Sequence, residues 1–288
     1  MMLARETQLA PVAQFSVSQR YDRYVDADHE SWRCAMRALA NVLESRCAVP
    51  YVKALRECGL SMLRLPKLSE INQALERFGW QTVMVDSFIP PPAFMALQAE
   101  RILPITRFVR AHSQLGYTPI PDIIHEAAGH LPMLVDSDYR CFLQRFGEIG
   151  KNLKYSDLDE QVYLAQKRYA EYAGLHRNEI STLNSLRSEL EDLRRRQKDA
   201  LTPACLLSRF HWWTVEYGLV GEDAKLFGAG LLSSSTEALA TDETPQRRLS
   251  LECLEFDYEI SRMQPQLFVA DDWSHLNDQL TRVLAHIS

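Results

Sequence analysis

The 288-residue sequence has no apolar run near the ~18 residues of a membrane-spanning helix. Its opening "MMLARETQLAPVAQ" lacks the continuous apolar stretch and cleavage pattern of an export signal. A soluble, cytoplasmic protein is expected. Charge of one sign is also missing: 32 Lys and Arg stand against 38 Asp and Glu, a net −6, with no long like-charge run. That leaves no electrostatic footprint for nucleic acid or an anionic membrane, and points to small-molecule or protein partners. Cysteine is sparse. Cys34, Cys47, Cys58, Cys141, Cys205 and Cys253 form no CxxC pair and no regular framework, so reduced, mostly packed thiols without a role are expected. There is no internal repeat and no low-complexity segment. What is present, 46% hydrophobic residues over this length, suffices for a substantial core in one enzyme-sized domain.

Residues 1–20 are polar and aperiodic and read as a flexible N-terminal arm, with a single domain over 21–288. Trp32, Met36, Leu39 and Leu43 recur at helical spacing behind a cap at Asp28 or Ser31. In "LSEINQALERFG", Leu68, Ile71, Leu75 and Phe78 make one apolar stripe, and Gly79 sits where a helix ends in a left-handed residue. The spacing then predicts a strand in "WQTVMV" and an extended loop through the three prolines of "IPPPAF". From about 156 to 200 the composition turns charged and helix-favouring. Leu183, Leu186, Leu190 and Leu193 there follow a 3-4-3 spacing, a short coiled-coil pattern. Gly174 interrupts this stretch, so it reads either as an antiparallel helix pair or as one long bent helix.

The stretch "PDIIHEAAGH" places His125, Glu126 and His130 together. Residues five apart on a regular α-helix lie about 140° apart, too far to share a metal, so the helix is expected to end between the histidines. Pro121 and Asp122 can start it; Gly129 and Pro132 can stop it and turn His130 back. An HExxH zinc hydrolase needs histidines four apart with the glutamate as base, and here the count is one too long. In "FHWWTVEYGL", Glu216 sits among bulky apolar groups, where a carboxylate requires a cation: either a metal shared with the histidines or a partner such as Arg209. Two imidazoles and a carboxylate would form the facial set suited to non-haem Fe(II), with positions left open for oxygen chemistry.

"YTPIPDIIHEAAGHLPML", "WWTVEYGL" and "FGAGLLSSSTEAL" together resemble the tetrahydropterin-dependent aromatic amino acid hydroxylases, whose signatures read close to YTPEPDxxHExxGHxPLL, WFTVEFGL and GAGLLSS in that order. The likeness runs from about Trp80 through "MQPQLFVADDW" at Met263–Trp273, and back toward "DADHESWR". The resemblance implies an α+β, predominantly helical catalytic domain with a few short strands. It makes His125, His130 and Glu216 the iron ligands. Arg110 would grip the substrate carboxylate and Asp122 would orient it, a task suited to a planar guanidinium. Thr118, Gly230, Ser233 and Ser234 match positions around the amino acid's polar end. Phe94 matches the aromatic on which the pterin stacks, and Glu126 the acid that faces the pterin. Trp212 matches a substrate-pocket aromatic, closer to the phenylalanine and tyrosine members than to the tryptophan members.

The implied activity is ring hydroxylation of a free aromatic amino acid, L-phenylalanine first, with Fe(II), O2 and a tetrahydropterin cosubstrate. Tryptophan, and para against meta attack, stay open. A zinc metallohydrolase and a non-catalytic interaction protein are the readings from other classes. Three departures from the pattern stand out. Ile120 replaces the glutamate of TPEPD, removing a charge. The alanines of "HEAAGH" replace bulkier residues common in the family, which would enlarge or reshape the space beside the iron. The segment between Glu148 and Trp212 is much longer than the family's connection, as an inserted helical segment over about 156–200. A homo-oligomer contact is expected of that insertion, ahead of a lid or docking arm, because its leucines need covering. The closer comparison is a compact bacterial-type catalytic domain.

Overall fold

A computed structural model describes residues 14–116, 120–176, 178–258, 260 and 262–288. Helix α1 spans Asp26–Leu43 and buries Trp32, Met36, Leu39 and Leu43 as one stripe. It starts earlier than the expected cap, because the Asp28 carboxylate accepts the Val25 N–H at 2.9 Å and secures the first turn. After α2 (Tyr51–Glu57), α3 (Leu68–Leu75) buries Ile71 and Leu75 and runs through a 3-10 turn to Gly79, whose φ is 68°.

Strand β1 (Gln81–Val85) pairs in parallel with β2 (Ile102–Thr106), joined by α4 (Pro91–Ala99). The prolines do not make an extended loop. Pro90 caps α4 and Pro91 and Pro92 open it, positions where no intrahelical N–H is needed. Residues 14–20, assigned above to the flexible arm, include fastened groups: Val17 N–H donates to Met84 O at 2.9 Å and Gln19 bonds the Pro66 carbonyl at 2.8 Å.

Helix α5 (Ser137–Gly150), capped by the Asp136 carboxylate, precedes α6 (Asp157–Leu175) and α7 (Ile180–Lys198). These last two form an antiparallel hairpin. Gly174 lies inside α6 and does not break it. The Ser156 hydroxyl caps α6 by accepting the Asp159 N–H at 3.1 Å. Val162, Ala165, Tyr169 and Leu190 form a small core of their own, flanked by Leu183, Leu186 and Leu193. Leu190 is thus buried within the chain, and Leu183, Leu186 and Leu193 are partly covered by the same contact.

Helix α8 (Pro203–His211) leads into a second sheet of β3 (Gly218–Val220), β4 (Lys225–Leu226), β5 (Gln246–Arg248) and β6 (Leu267–Ala270), in the order β4-β3-β6-β5. Short α9 (Ala229–Leu232) and α10 (Ser235–Ala240) follow β4, and α11 (Trp273–Ile287) closes the chain. The main core joins α1, α5, α8 and β6 through fully buried Trp32, Phe142, Phe146, Phe210, Trp213 and Phe268. Each such side chain contributes about 2–3 kcal/mol of transfer free energy.

Because the hairpin has a separate core, Leu190→Ala should lower its local stability by about 2–3 kcal/mol. Amide exchange over 157–198 should accelerate while α1 and β1 are unchanged; uniform acceleration would show that the hairpin does not open on its own.

Candidate active site

Residues Ile124–His130 form a π-helix, and Trp212–Glu216 form another. The helix does not end between the histidines as the spacing predicted; it widens. A π-helix bonds i to i+5, so residues five apart come to lie on the same side, which an α-helix would not allow. His125 and His130 accordingly stand with ring centroids 5.1 Å apart. Gly129 belongs to this segment and is small for another reason: a Cβ there would meet Ala229 O at 2.6 Å.

Donor atoms of His125, His130 and Glu216 lie within 4.8 Å of one another. His125 Nε2 is 3.3 Å from one Glu216 oxygen, and His130 Nε2 is 3.6 Å from the other. Arg209, the alternative partner for Glu216, donates instead to Leu254 O at 2.8 Å. Ser233 Oγ donates to Gly230 O and lies 3.1 Å from His125 Nδ1, so Nδ1 carries the proton and Nε2 is left for a metal. His130 Nδ1 is buried without a hydrogen-bond partner among the described residues.

Burial disfavours charge at every one of these groups; mutual contacts overcome it at Glu216 and His125 but not at His130 or Glu126. Burial would raise the Glu216 carboxyl, but His130 and His125 hold it well below the usual range. Burial would lower His125, yet the Glu216 hydrogen bond and charge raise it. His130, with desolvation dominant, is lowered. Desolvation pushes Glu126 up to about 8, and its carboxylate lies 4.0 Å from His130 Nε2. Without a metal, a proton on His125 is what balances Glu216. The donor set fits a divalent cation of the iron type.

A cavity of about 280 Å³ opens over these residues. Arg110 and Asp122 line or underlie it as a buried pair: Nε and Nη2 donate to the two Asp122 oxygens at 2.8 and 2.6 Å. Asp122 also accepts the His125 backbone N–H at 3.0 Å, which couples the guanidinium to the metal ligand. Arg110 Nη1 reaches Ser233 O at 3.3 Å. Gly230, Ser233, Ser234, Trp212, Phe94 and Glu126 all line the cavity. Ser234 also caps α10. Thr118 lies outside the described residues. Ala127 and Ala128 are fully buried in the core and are absent from the cavity lining, so they do not enlarge the space beside the metal ligands.

Several lining residues escaped the sequence reading. His211 Nδ1 is 3.8 Å from Glu216, and its ring meets Phe94 edge-on at 5.8 Å. Glu237 accepts the Tyr217 hydroxyl at 3.1 Å, and burial pushes it up to about 7. Tyr258 stacks on Trp212 at 4.4 Å. Tyr163 comes from α6. His211, Tyr217 and Glu237 fall inside the quoted motifs, which was the available signal; Tyr258 and Tyr163 carry none.

The family described as biopterin-dependent aromatic amino acid hydroxylase matches residues 5–164 and 203–288. The chain belongs to this family. The unmatched residues between the two segments fall within the α6–α7 hairpin and the link to α8. The hydroxylase is 29% identical over 259 residues to a phenylalanine-4-hydroxylase of Pseudomonas aeruginosa, covering 88% of this chain and 81% of that one. It is 26% identical over 271 residues to the Chromobacterium violaceum phenylalanine-4-hydroxylase, covering 92% and 76%. A solved structure of the latter, with bound iron(III) and oxidised 7,8-dihydrobiopterin, superposes with a TM-score of 0.71 over 95% of this chain and 86% of that chain at 24% identity, a likeness of fold. The protein is a biopterin-dependent aromatic amino acid monooxygenase. No helix among the described residues is long and apolar enough to cross a membrane.

Two outcomes follow from this geometry. His125→Ala and Glu216→Ala should each abolish stoichiometric Fe(II) binding with circular dichroism preserved; one iron per chain in either variant would contradict the ligand set. The Glu237 carboxyl, normally near 4.5, titrates at about 7 in the folded chain. Between those values the folded state holds a proton that the unfolded state has lost, so stability falls as pH rises through that window and levels off above it. Glu237→Gln should remove on the order of 2 kcal/mol of that decline, read by denaturant titration of the metal-free protein. An unchanged slope would contradict it.

Proposed function

We propose that the protein hydroxylates the ring of free L-phenylalanine at the para position. The observation that carries this reading is one shared pocket: two histidines and a carboxylate converge within 4.8 Å, beside a buried Arg110 already forked onto Asp122. Iron at His125, His130 and Glu216, together with tetrahydropterin, supplies the activation of O2. The chain's own residues do the rest.

Arg110 binds the amino acid's carboxylate through the N–H groups that Asp122 leaves over, and Asp122 keeps the fork from rotating. Ser233 stands beside this end and holds the His125 tautomer through its hydroxyl. Trp212, fixed by its indole N–H to Gln264 at 2.9 Å and by the Tyr258 stack, forms an apolar face for the aromatic ring. Phe94 offers the pterin a ring to stack on, and Glu126 faces it from beside the first ligand. Burial of the whole set keeps bulk water from the reacting groups.

Phenylalanine and the para position are supported by the activity named for the relatives, phenylalanine-4-hydroxylases. The pocket is tested by aerobic turnover of Fe(II)-loaded protein with tetrahydropterin and Phe, Tyr or Trp offered separately. Tyrosine formed from phenylalanine, only with iron and pterin present, is expected; meta-tyrosine, hydroxylated tryptophan alone, or pterin-independent product would contradict the proposal. Arg110→Lys should raise the phenylalanine KM at least about tenfold, since an ammonium cannot reproduce the fork. An unchanged KM would remove Arg110 from carboxylate binding.

A further inference from the structure

The α6–α7 hairpin is fastened to both walls of the cleft. On the wall that follows β1, Lys167 Nζ donates to Phe88 O at 3.3 Å and the Ser87 hydroxyl donates to Glu171 at 2.6 Å. The end of α6 sits on Ile120: Gly174 lies so close that a Cβ would meet Ile120 Cδ1 at 1.9 Å, and Gln114 donates to Gly174 O at 3.2 Å. On the opposite wall, Arg194 of α7 donates to Tyr258 O at 2.9 Å, and its guanidinium lies 5.6 Å from the centroid of the ring that stacks on Trp212. The same arginine donates to Gln166 of α6 at 2.9 Å. The hairpin thus spans the mouth, and Tyr163 and Gln166 line the cavity itself.

Residues 163, 167 and 171 are four apart along α6 and share one face. Two of them hold the Ser87–Phe88 loop, so Tyr163 faces the same wall, on which Phe94 stands. Its hydroxyl is buried and has no hydrogen-bond partner among the described residues. A buried O–H without a partner is unfavourable, and here it borders a ligand cavity. The amino acid does not answer it, since a phenylalanine ring carries no polar atom and Arg110 serves the carboxylate at the other end. A pterin does, with N–H, C=O and amino groups around its rim.

We propose that Tyr163 is a cosubstrate-binding residue contributed by the helix that carries the insertion, its hydroxyl hydrogen-bonding a polar group of the pterin along the Ser87–Phe94 wall. This rests on the pterin-dependent reading of the site. Gln166, whose amide oxygen Arg194 already occupies, serves the other wall.

The test is anaerobic titration calorimetry of the Fe(II)-loaded protein and its Tyr163→Phe variant with 7,8-dihydrobiopterin and, separately, with phenylalanine. The variant should bind the pterin roughly three- to tenfold more weakly. Its phenylalanine affinity should stay within about twofold, and its melting temperature should not fall, because the hydroxyl has no partner to lose among the described residues. Leu164→Ala, on the outward side of the same helix, should change neither affinity. Unchanged pterin affinity in Tyr163→Phe, or equal weakening toward both ligands, overturns the proposal while leaving the hydroxylase reading intact. A parent protein that binds no pterin overturns both.

Discussion

A carboxylate shut away between imidazoles must have a cation, and much of the cleft follows from that requirement at Glu216. With its side chain only 12% exposed and both oxygens facing histidine nitrogens, Glu216 is balanced by a proton on His125 or by a metal in its place. Two π-helices deliver the three groups. Such widened turns give up regular α-helical bonding, and they occur where a function dictates side-chain direction. The hydrogen-bonded shell around them is continuous: Ser233 orders His125, Asp122 ties the His125 backbone to Arg110, and Arg110 reaches back to Ser233 O. The proposed substrate grip and the proposed metal ligands therefore share one network.

The chemistry was legible because it rests on residue type and motif order. His125, His130 and Glu216 lie together, as do Arg110 and Asp122, and the α1 stripe and the Ile71 and Leu75 half of the α3 stripe are buried as their periodicity predicted. Local conformation was less so. Assuming an α-helix required a break between the histidines, since periodicity cannot distinguish an ended helix from a widened one. The triple proline looked like a loop breaker, yet the same residues open α4, where missing N–H groups cost nothing. Tyr258 and Tyr163 reach the cavity only through tertiary packing, which no local pattern encodes.

Two departures from the family pattern become one feature in three dimensions. The residue in place of the TPEPD glutamate is Ile120, 6% exposed beneath the end of α6. A carboxylate there would lie under the hairpin close to Gly174, desolvated; an isoleucine fills the contact. The insertion and the loss of charge are thus mutually consistent. Of the 3-4-3 leucines, whose spacing called for a covering surface, Leu190 packs into the small core between α7 and α6 and the other three lie partly buried against it.

His125, His130 and Glu216 are proposed to form a single metal site at the floor of a pterin-accepting cavity. Its most direct test is anomalous diffraction at the iron edge from crystals grown anaerobically with Fe(II) and 7,8-dihydrobiopterin. One strong peak within bonding distance of His125 Nε2, His130 Nε2 and a Glu216 oxygen, with pterin density against Phe94, is the result predicted. No peak at these three residues, or the principal peak elsewhere in the molecule, would contradict it.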